Sequence, residues 1–238
     1  MSVLVFIDIA EGSIKKSSFE AASYAAQTAS LLGTTAEAIA IGNCNDDLAG
    51  LGNYGISKVH TVSGDTVNTF DSQVFAGILA EAAEKTGADV IVFSNNTTGK
   101  AIAPRISARM KAGLVSGAVA LPETASGFVV KKSVFSGKAF AHINISSAKK
   151  IIALNPNSFN ITTTSGTASV SPLAVTMTSP TITVATISKV TGEIPLSEAD
   201  IVVSGGRGLK GPENWGLVTD LAKSLGAATA CSRPVADI

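Results

Sequence analysis

A glycine-rich segment near the carboxyl end holds the residues best suited to binding chemistry. Residues 201–203 are an apolar run that predicts a buried strand, and Ser204-Gly205-Gly206-Arg207-Gly208 follows it directly. A helix is predicted to open at Gly211-Pro212, because proline suits the first helical position, where its missing N–H costs nothing. A strand, a glycine loop and a helix start place backbone N–H groups around an anion. Gly206 and Gly208 would let the main chain approach a ligand and take positive φ.

Arg207 lies inside this loop and offers a planar fork of donors that matches a phosphate group. The same pattern has plainer explanations. A glycine-rich turn after a strand is often only a turn, and the carboxylate of Glu213 can itself occupy the positive end of the helix. By itself, the segment therefore predicts either an anion site or a simple turn.

Length and composition restrict the class of protein. The chain has 238 residues, of which 45% are hydrophobic and 15% charged, which fits one or two domains with a well-buried core. Lys and Arg number 18 and Asp and Glu number 18, so nothing in the charge indicates binding to nucleic acid or to an anionic membrane. Cys44 and Cys231 lie far apart with no CxxC pair, so we expect reduced thiols and no zinc or redox site.

No targeting segment or membrane insertion is predicted. The start, "MSVLVFIDIAEG", lacks a basic region and turns acidic at Asp8 and Glu11, unlike a signal peptide. The uncharged residues 151–188 are interrupted throughout by Thr, Ser, Asn and Pro, which does not fit a membrane span. We therefore expect a cytoplasmic protein.

The first 110 residues alternate between two kinds of pattern. Helical spacing of apolar residues predicts helices from Ser17 or Ser18 to about Leu32, at 70–85 and at about 100–110, with a short helix after Asp46 or Asp47. Short apolar runs predict strands at residues 3–7, 36–41, 58–62 and 88–93. This alternation of strands and helices predicts a mostly parallel sheet with helices on both faces and right-handed crossovers.

After Gly113 apolar and polar residues alternate, which predicts antiparallel strands or hairpins added to the same domain, at 114–123, 127–146 and 149–159. Residues 157–180 predict an irregular β segment or a linker, and residues 182–190 a further strand. A cluster of acids around Pro195 indicates a boundary between a domain at 1–190 and the start of a second at 191–238. Because two strands and one helix are too few for a core, we expect the chain to be part of a longer protein.

Two motifs point to one specific protein family. "VVSGGRGLKGPENW", followed after one helix by "CSRPVAD", resembles the start of the FAD domain of the electron transfer flavoprotein alpha subunit. "KKSSFEAASYA", "YGISKVH", "GKAIAPRISARMKAGLVSG" and "NPNSF" are similar to family stretches as well, so the resemblance covers nearly the whole chain. It implies a Rossmann-like α/β domain that carries no nucleotide and packs against a beta subunit, followed by the start of an FAD-binding α/β domain.

The resemblance also implies a function and its partners. The heterodimer with the beta subunit would hold one FAD, accept electrons from flavin dehydrogenases and pass them to a quinone reductase or similar acceptor. It would be a carrier and not a substrate-converting enzyme. Two other functions stay open from the residues alone: an α/β interaction module without a cofactor, and a nucleotide-hydrolysing α/β enzyme.

Site residues follow from the motif matches. Arg207 of "GGRG", with Gly206 and Gly208, matches a cofactor-contacting arginine, while Ser232 and Arg233 of "CSRP" match a cofactor-binding serine and an arginine beside the flavin ring. A cation there would stabilise negative charge on the ring and raise its potential. From the residues alone, Arg233 could instead pair with Asp237. The family pattern differs at Ala230 and Asn155, and its usual Gln-rich turn and second glycine-rich stretch do not occur in this sequence.

Three other candidates have weaker support. Asp8, at the end of the first strand, sits where α/β folds place ligands, although a strand-end carboxylate more often caps a turn. "SNNTTGKAIAPR" lacks the spacing of a phosphate-binding Walker motif, so we expect Thr97 or Thr98 to cap a helix there. His60 and His142 have no partner at metal-ligand spacing.

Overall fold

The computed structural model of the chain describes residues 2–186, 196 and 199–237. These divide into two compact units, Met1–Thr183 and Val184–Ile238. The boundary predicted between residues 190 and 191 lies outside the described residues, and the division into domains at that point stays a prediction.

The first unit alternates strands and helices up to residue 110, as its sequence pattern predicts. Its helices are α1 (Lys16–Leu31), α2 (Ser72–Lys85) and α3 (Thr97–Met110). A 3₁₀ helix, Leu48–Tyr54, occupies the position of the short helix predicted after Asp47. The strands are β1 (Ser2–Ile7), β2 (Ile9–Ala10), β3 (Ser13–Ile14), β4 (Ala36–Ile41), β5 (Ile56–Val62), β6 (Ala88–Ser94), β7 (Gly113–Ala118), β8 (Val129–Val134), β9 (Ala139–Asn144), β10 (Lys150–Leu154) and β11 (Ser169–Pro172).

Nine of these strands form one sheet, in the order β11-β5-β4-β1-β6-β10-β7-β8-β9. Strand β8 pairs antiparallel with β7 and β9, and the remaining described pairs of this sheet are parallel. The predicted α/β fold, a mostly parallel sheet with added antiparallel strands, is confirmed. β2 and β3 form a separate small ribbon.

Both faces of the sheet are buried at its central strands β1, β6 and β10, which explains their continuous apolar runs. In β1, Val5 and Ile7 face a core that also contains Tyr24 of α1. Leu4 and Phe6 of the same strand face a second core, built with α2 and α3. A charge anywhere along β1 would therefore be buried on one face or the other.

The antiparallel prediction for residues 149–159 is wrong. β10 lies between β6 and β7 and is parallel to both. All five of its residues, Lys150–Leu154, are buried, so the run Ile-Ile-Ala-Leu is that of an interior parallel strand. The strand predicted at 182–190 is also wrong for residues 182–186, which form no strand, and its remainder lies outside the described residues.

Residues 157–180 run over the surface of the first unit and contribute one short strand, β11, at the edge of the sheet. Of the two alternatives for this segment, the irregular β segment is the one observed. Among the described residues, no helix has both the length and the apolar character that crossing a bilayer requires.

Tyr24 gives a testable pH dependence. Its ring is fully buried on α1 and its hydroxyl donates a hydrogen bond of 2.9 Å to the carbonyl of Ala120. Burial raises the pKa of Tyr24 above its usual value, so the folded state keeps the phenol neutral at a pH where the unfolded state ionises. This contribution to stability is complete below pH about 10 and is lost as the pH rises above it.

Tyr24→Phe is expected to cost about 1 kcal/mol of unfolding free energy at neutral pH, through the lost hydrogen bond. Between about pH 10 and 12 the natural protein should lose up to about 1.4 kcal/mol per pH unit more than the variant. Urea unfolding across this range measures both values, and parallel pH curves for the two proteins would contradict the assignment.

The second unit has the predicted order of strand, loop, helix and strand. Strands β12 (Val202–Gly205) and β13 (Ala228–Cys231) pair in parallel, joined by helix α4 (Gly216–Leu225), and the short helix α5 (Arg233–Ala236) follows. Val218 and Ala222 of α4 are buried. The connection therefore brings the carboxyl ends of two parallel strands to one edge.

Candidate functional site

The two family motifs of the second unit meet where β12 and β13 end. Gly205 pairs with Cys231 in the register of the two strands, so the next residues, Gly206 and Ser232, are neighbours. The amide of Ser232 donates a 2.9 Å hydrogen bond to the carbonyl of Gly205. A Cβ atom added to Gly206 would lie 3.7 Å from Ser232 Oγ. Carboxyl ends of parallel strands are the usual location of ligands in α/β folds.

A cavity of about 730 Å³ opens at this edge. Of the site residues predicted from the sequence, Gly206 and Arg207 line it. Gly208, Ser232 and Arg233 are not among the lining residues, although Ser232 adjoins Gly206. The lining consists of Gly206, Arg207, Leu209, Lys210, Gly211, Pro212, Trp215, Cys231 and Val235.

Gly205, Gly206 and Gly208 do not have positive φ, and of the three only Gly205 is required by close packing. Gly206 is extended, with φ −125°, and the positive φ in this loop, 68°, belongs to Lys210. A Cβ atom on Gly205 would lie 2.5 Å from Leu209 Cδ1 and 2.6 Å from the ring of Trp215. Glycine at 205 thus lets Leu209 and Trp215 lie directly against the end of β12.

The helix predicted to open at Pro212 begins in two steps. A 3₁₀ turn, Pro212–Asn214, has proline in its first turn, and α4 starts at Gly216. The carboxylate of Glu213 folds back against Gly211, at the start of this turn. Glu213 therefore lies at the amino end of the turn, as the sequence suggested, and the cationic residues that line the cavity are Arg207 and Lys210.

Arg233 lies at the surface and is not among the residues that line the cavity. Its side chain is 90% exposed, and its Nε is 3.5 Å from Oδ2 of Asp237, one helical turn further on. The pairing with Asp237 that the sequence left open is thus present in the structure. An ion pair this exposed contributes little stability and is easily exchanged for another partner.

Sequence reasoning missed Lys210, Trp215 and Cys231 as lining residues. The signal was available for two of them, because Lys210 stands in the same glycine loop and Trp215 is the only tryptophan of the chain. Two cations beside an indole and aliphatic side chains suit a ligand that combines phosphate groups with a flat ring. The chemistry of this lining fits a flavin dinucleotide.

In the first unit, Asp8 lies at a smaller cleft of about 340 Å³ at the carboxyl ends of β1 and β4. Its buried carboxylate accepts hydrogen bonds from Lys15 Nζ at 2.9 Å and Asn96 Nδ2 at 2.8 Å. Asn96, and not Thr97 or Thr98, caps α3, because its Oδ1 accepts from the amide of Gly99. The carboxylate of Asp8 therefore binds Lys15 and Asn96 of this chain. Among the described residues, no group of three or more metal-ligating side chains occurs.

Comparison with known proteins identifies both units. Residues 3–179 match the profile described as "Electron transfer flavoprotein domain". Residues 195–238 match the profile described as "Electron transfer flavoprotein FAD-binding domain".

Similar proteins include two named electron transfer flavoprotein subunit alpha. The protein of Bacillus subtilis (strain 168) is 29% identical over 238 residues, which covers 99% of this chain and 73% of the relative. That of Syntrophomonas wolfei is 28% identical over 237 residues, covering 98% and 74%. Protein FixB of Escherichia coli O81 (strain ED1a) is 29% identical over 167 residues, covering 68% and 53%.

Proposed function

The chain belongs to the electron transfer flavoprotein family, as an alpha subunit, and from this premise we propose that it carries electrons on one FAD, bound in a heterodimer with a beta subunit. One observation supports the proposal most directly. The motifs "GGRG" and "CSRP", which lie inside the matched FAD-binding segment, meet at one strand edge beside the cavity. Family membership favours this function over the cofactor-free module and the nucleotide-hydrolysing enzyme.

The lining residues would bind the phosphate part of the cofactor through charge and the main chain. Arg207 offers a fork of N–H donors that matches phosphate oxygens, and Lys210 adds a second positive charge. The backbone at Gly206 leaves room for a ligand to approach, and the hydroxyl of Ser232 lies next to it. Trp215, half-buried at the cavity wall, would exclude water from the bound ring system.

Bound FAD supplies the redox chemistry, because its ring can take up and release electrons. The contribution of this chain is to bind, orient and tune it. We assign Arg233 to the flavin ring from its position in "CSRP", and its exposed pair with Asp237 leaves it available for that contact. A positive charge beside the ring would raise the reduction potential.

The partners follow from the same premise. The heterodimer would take electrons from flavin dehydrogenases and deliver them to a quinone reductase or similar acceptor in the cytoplasm. The protein would then be a carrier, whose substrates are the redox centres of its partner proteins.

The test is co-expression of the chain with the beta subunit of the same organism. The purified complex should show the visible absorption bands of a flavin, and the cofactor released by denaturation should be FAD, about one per heterodimer. The beta subunit purified alone is the control for flavin bound elsewhere. A stable complex without flavin, or one that releases phosphate steadily from ATP, would refute the proposal.

A further inference from the structure

The loop that follows β12 ends in an unusual turn, residues 209–211, which we name the Lys210 turn. The amide of Gly211 donates a 2.9 Å hydrogen bond to the carbonyl of Leu209, two residues back. Lys210 between them has φ 68° and ψ −35°. A three-residue turn with a positive φ at its centre is the rare and strained form of the γ-turn. Glycine would adopt this conformation at little cost, whereas a lysine must be held in it.

No contact among the described residues explains why a lysine occupies the strained position. The side chain of Lys210 is exposed, so burial does not favour lysine over glycine there. It also makes no ion pair with any residue that the structure describes. Strained residues cluster at ligand-binding and active sites, where the strain belongs to the function. The strain at Lys210 therefore points to a ligand of its side chain.

The Lys210 turn forms part of the cavity at the ends of β12 and β13. All three of its residues line this cavity, and Arg207 of the same loop is the second cation of the lining. None of the described lining residues carries a carboxylate. Two like charges that share one cavity repel each other, and an anion bound between them removes the repulsion. A phosphate group is the anion that arginine and lysine bind together.

Asn214 holds the Lys210 turn in place. Its Nδ2 donates a 2.7 Å hydrogen bond to the carbonyl of Leu209, the same oxygen that accepts from Gly211. Asn214 belongs to the 3₁₀ turn that precedes α4, so this bond joins the loop to the start of the helix. Asn214 itself is not among the residues that line the cavity. It therefore acts on the cavity through the position of Lys210.

We propose that Asn214 is a positioning residue of the FAD site, because it fixes the strained turn that presents Lys210 to a phosphate group of the cofactor. The inference rests on the proposed function, since it requires FAD in this cavity. A lysine whose turn is already fixed loses less freedom when the phosphate binds, and this preorganisation strengthens binding. The strain is present in the folded chain before the cofactor arrives. The Lys210 turn thus lowers the stability of the flavin-free chain and raises its affinity for FAD.

Lys210→Gly should change stability and affinity in opposite directions. Glycine relieves the strain, so the flavin-free chain should unfold at a higher urea concentration, as followed by the fluorescence of Trp215, its only tryptophan. The same substitution removes the charge, so the deflavinated heterodimer should bind FAD about 10-fold more weakly in a titration. Binding should also depend less on the NaCl concentration than in the natural complex, because one contact between charges is lost.

Asn214→Ala keeps the charge of Lys210 and removes the hydrogen bond to Leu209. Its affinity for FAD should fall about 5-fold, the effect of ordering one long side chain at the moment of binding. In the Lys210→Gly background the same substitution should leave the affinity unchanged, because no lysine remains to be positioned. If Asn214→Ala weakens binding by the same factor in both backgrounds, its role is only structural and the proposal is refuted. Circular dichroism checks that each variant is folded.

Lys111→Gly is the matched control. Lys111 is an exposed lysine with φ 51° at the end of α3, so the substitution relieves a positive φ in the first unit and leaves the cavity lining unchanged. Its affinity for FAD should equal that of the natural complex. If the natural complex binds FAD and Lys210→Gly binds it equally tightly, or unfolds at a lower urea concentration, the role of the Lys210 turn is refuted while the flavin carrier stands. If the natural complex binds no FAD, both proposals fail.

Discussion

Replacement of Glu20 by alanine is expected to lower the unfolding free energy of the first unit by about 3 kcal/mol or more. Glu20 is buried on α1, and its carboxylate accepts three backbone hydrogen bonds, from Asn157 at 2.9 Å, Ser158 at 2.8 Å and Phe159 at 2.7 Å. Alanine would leave these amides without their acceptor, and a hydrogen bond to a charged group contributes more than one between neutral groups.

Glu20→Gln should cost less than the alanine substitution. The remaining carbonyl oxygen can still accept from Ser158 and Phe159, while the new NH₂ group would face the amide of Asn157. Glu84→Ala removes an exposed helical carboxylate and should change stability by no more than about 0.5 kcal/mol. Urea unfolding followed by circular dichroism ranks the stabilities of the three variants. A Glu20→Ala protein as stable as Glu84→Ala would refute the stabilising role of the Glu20 hydrogen bonds.

The loop that Glu20 holds follows β10 at its carboxyl end, and residues 155–159 are the motif "NPNSF". Phe159 of this loop packs edge-on against Tyr24, with ring centroids 5.3 Å apart. Two motifs that seemed separate in the sequence, "KKSSFEAASYA" and "NPNSF", are therefore parts of one contact. Loss of Glu20 should release this loop before it disturbs the sheet.

Local pattern was sufficient to predict the parallel strands of the first 94 residues, but not the parallel pairing of β7 with β10. β4 and β6 were predicted almost to the residue, because short apolar runs between glycines and helices have one common explanation in α/β proteins. The partner of Glu20 could not be predicted, since it lies 137 to 139 residues away and nothing in the surrounding sequence indicates it.

The position of β10 shows the same limit. Its apolar run is followed by Asn-Pro-Asn and preceded by a predicted hairpin, so local context favoured an antiparallel partner. Its actual neighbours lie further back along the chain: β8 and β9 stand between β7 and β10, and α3 and β7 as well stand between β6 and β10. Which strands become neighbours is decided by burial of the whole sheet, and this is not encoded in any one segment.

For the site in the second unit, the sequence predicted the motif residues but not the full set of residues that line the cavity. "GGRG" identified Gly206 and Arg207, whereas Trp215 lines the cavity because Gly205 permits its close approach. Arg233 was assigned from its motif, and the structure places it beside Asp237 at the surface. The roles of Gly208, Ser232 and Arg233 toward the cofactor stay predictions.

Arg207→Ala in the heterodimer is expected to weaken FAD binding by about 10- to 100-fold, the effect of losing one charge-assisted contact to phosphate. Arg207 lines the cavity, and no acidic residue is among the lining residues to compete for it. Lys223→Ala removes an exposed cation of α4 outside the cavity and should bind FAD as the natural protein does. Titration of the deflavinated complex with FAD, followed by the change in flavin fluorescence on binding, measures both affinities.

Arg233→Ala is expected to change the reduction potential of the flavin, whereas Arg207→Ala is expected to change the affinity for FAD. A cation beside the ring acts on the potential, so Arg233→Ala should keep most of its affinity for FAD and show a lower reduction potential in a potentiometric titration. Arg207→Ala should lose affinity for FAD and keep its reduction potential. The phosphates lie away from the ring, so a charge beside them affects binding more than the potential. If both variants lose affinity equally and neither changes the potential, Arg233 contributes to binding as Arg207 does and has no role at the ring. If Arg233→Ala changes neither the affinity nor the potential, its pair with Asp237 is the only role left for Arg233.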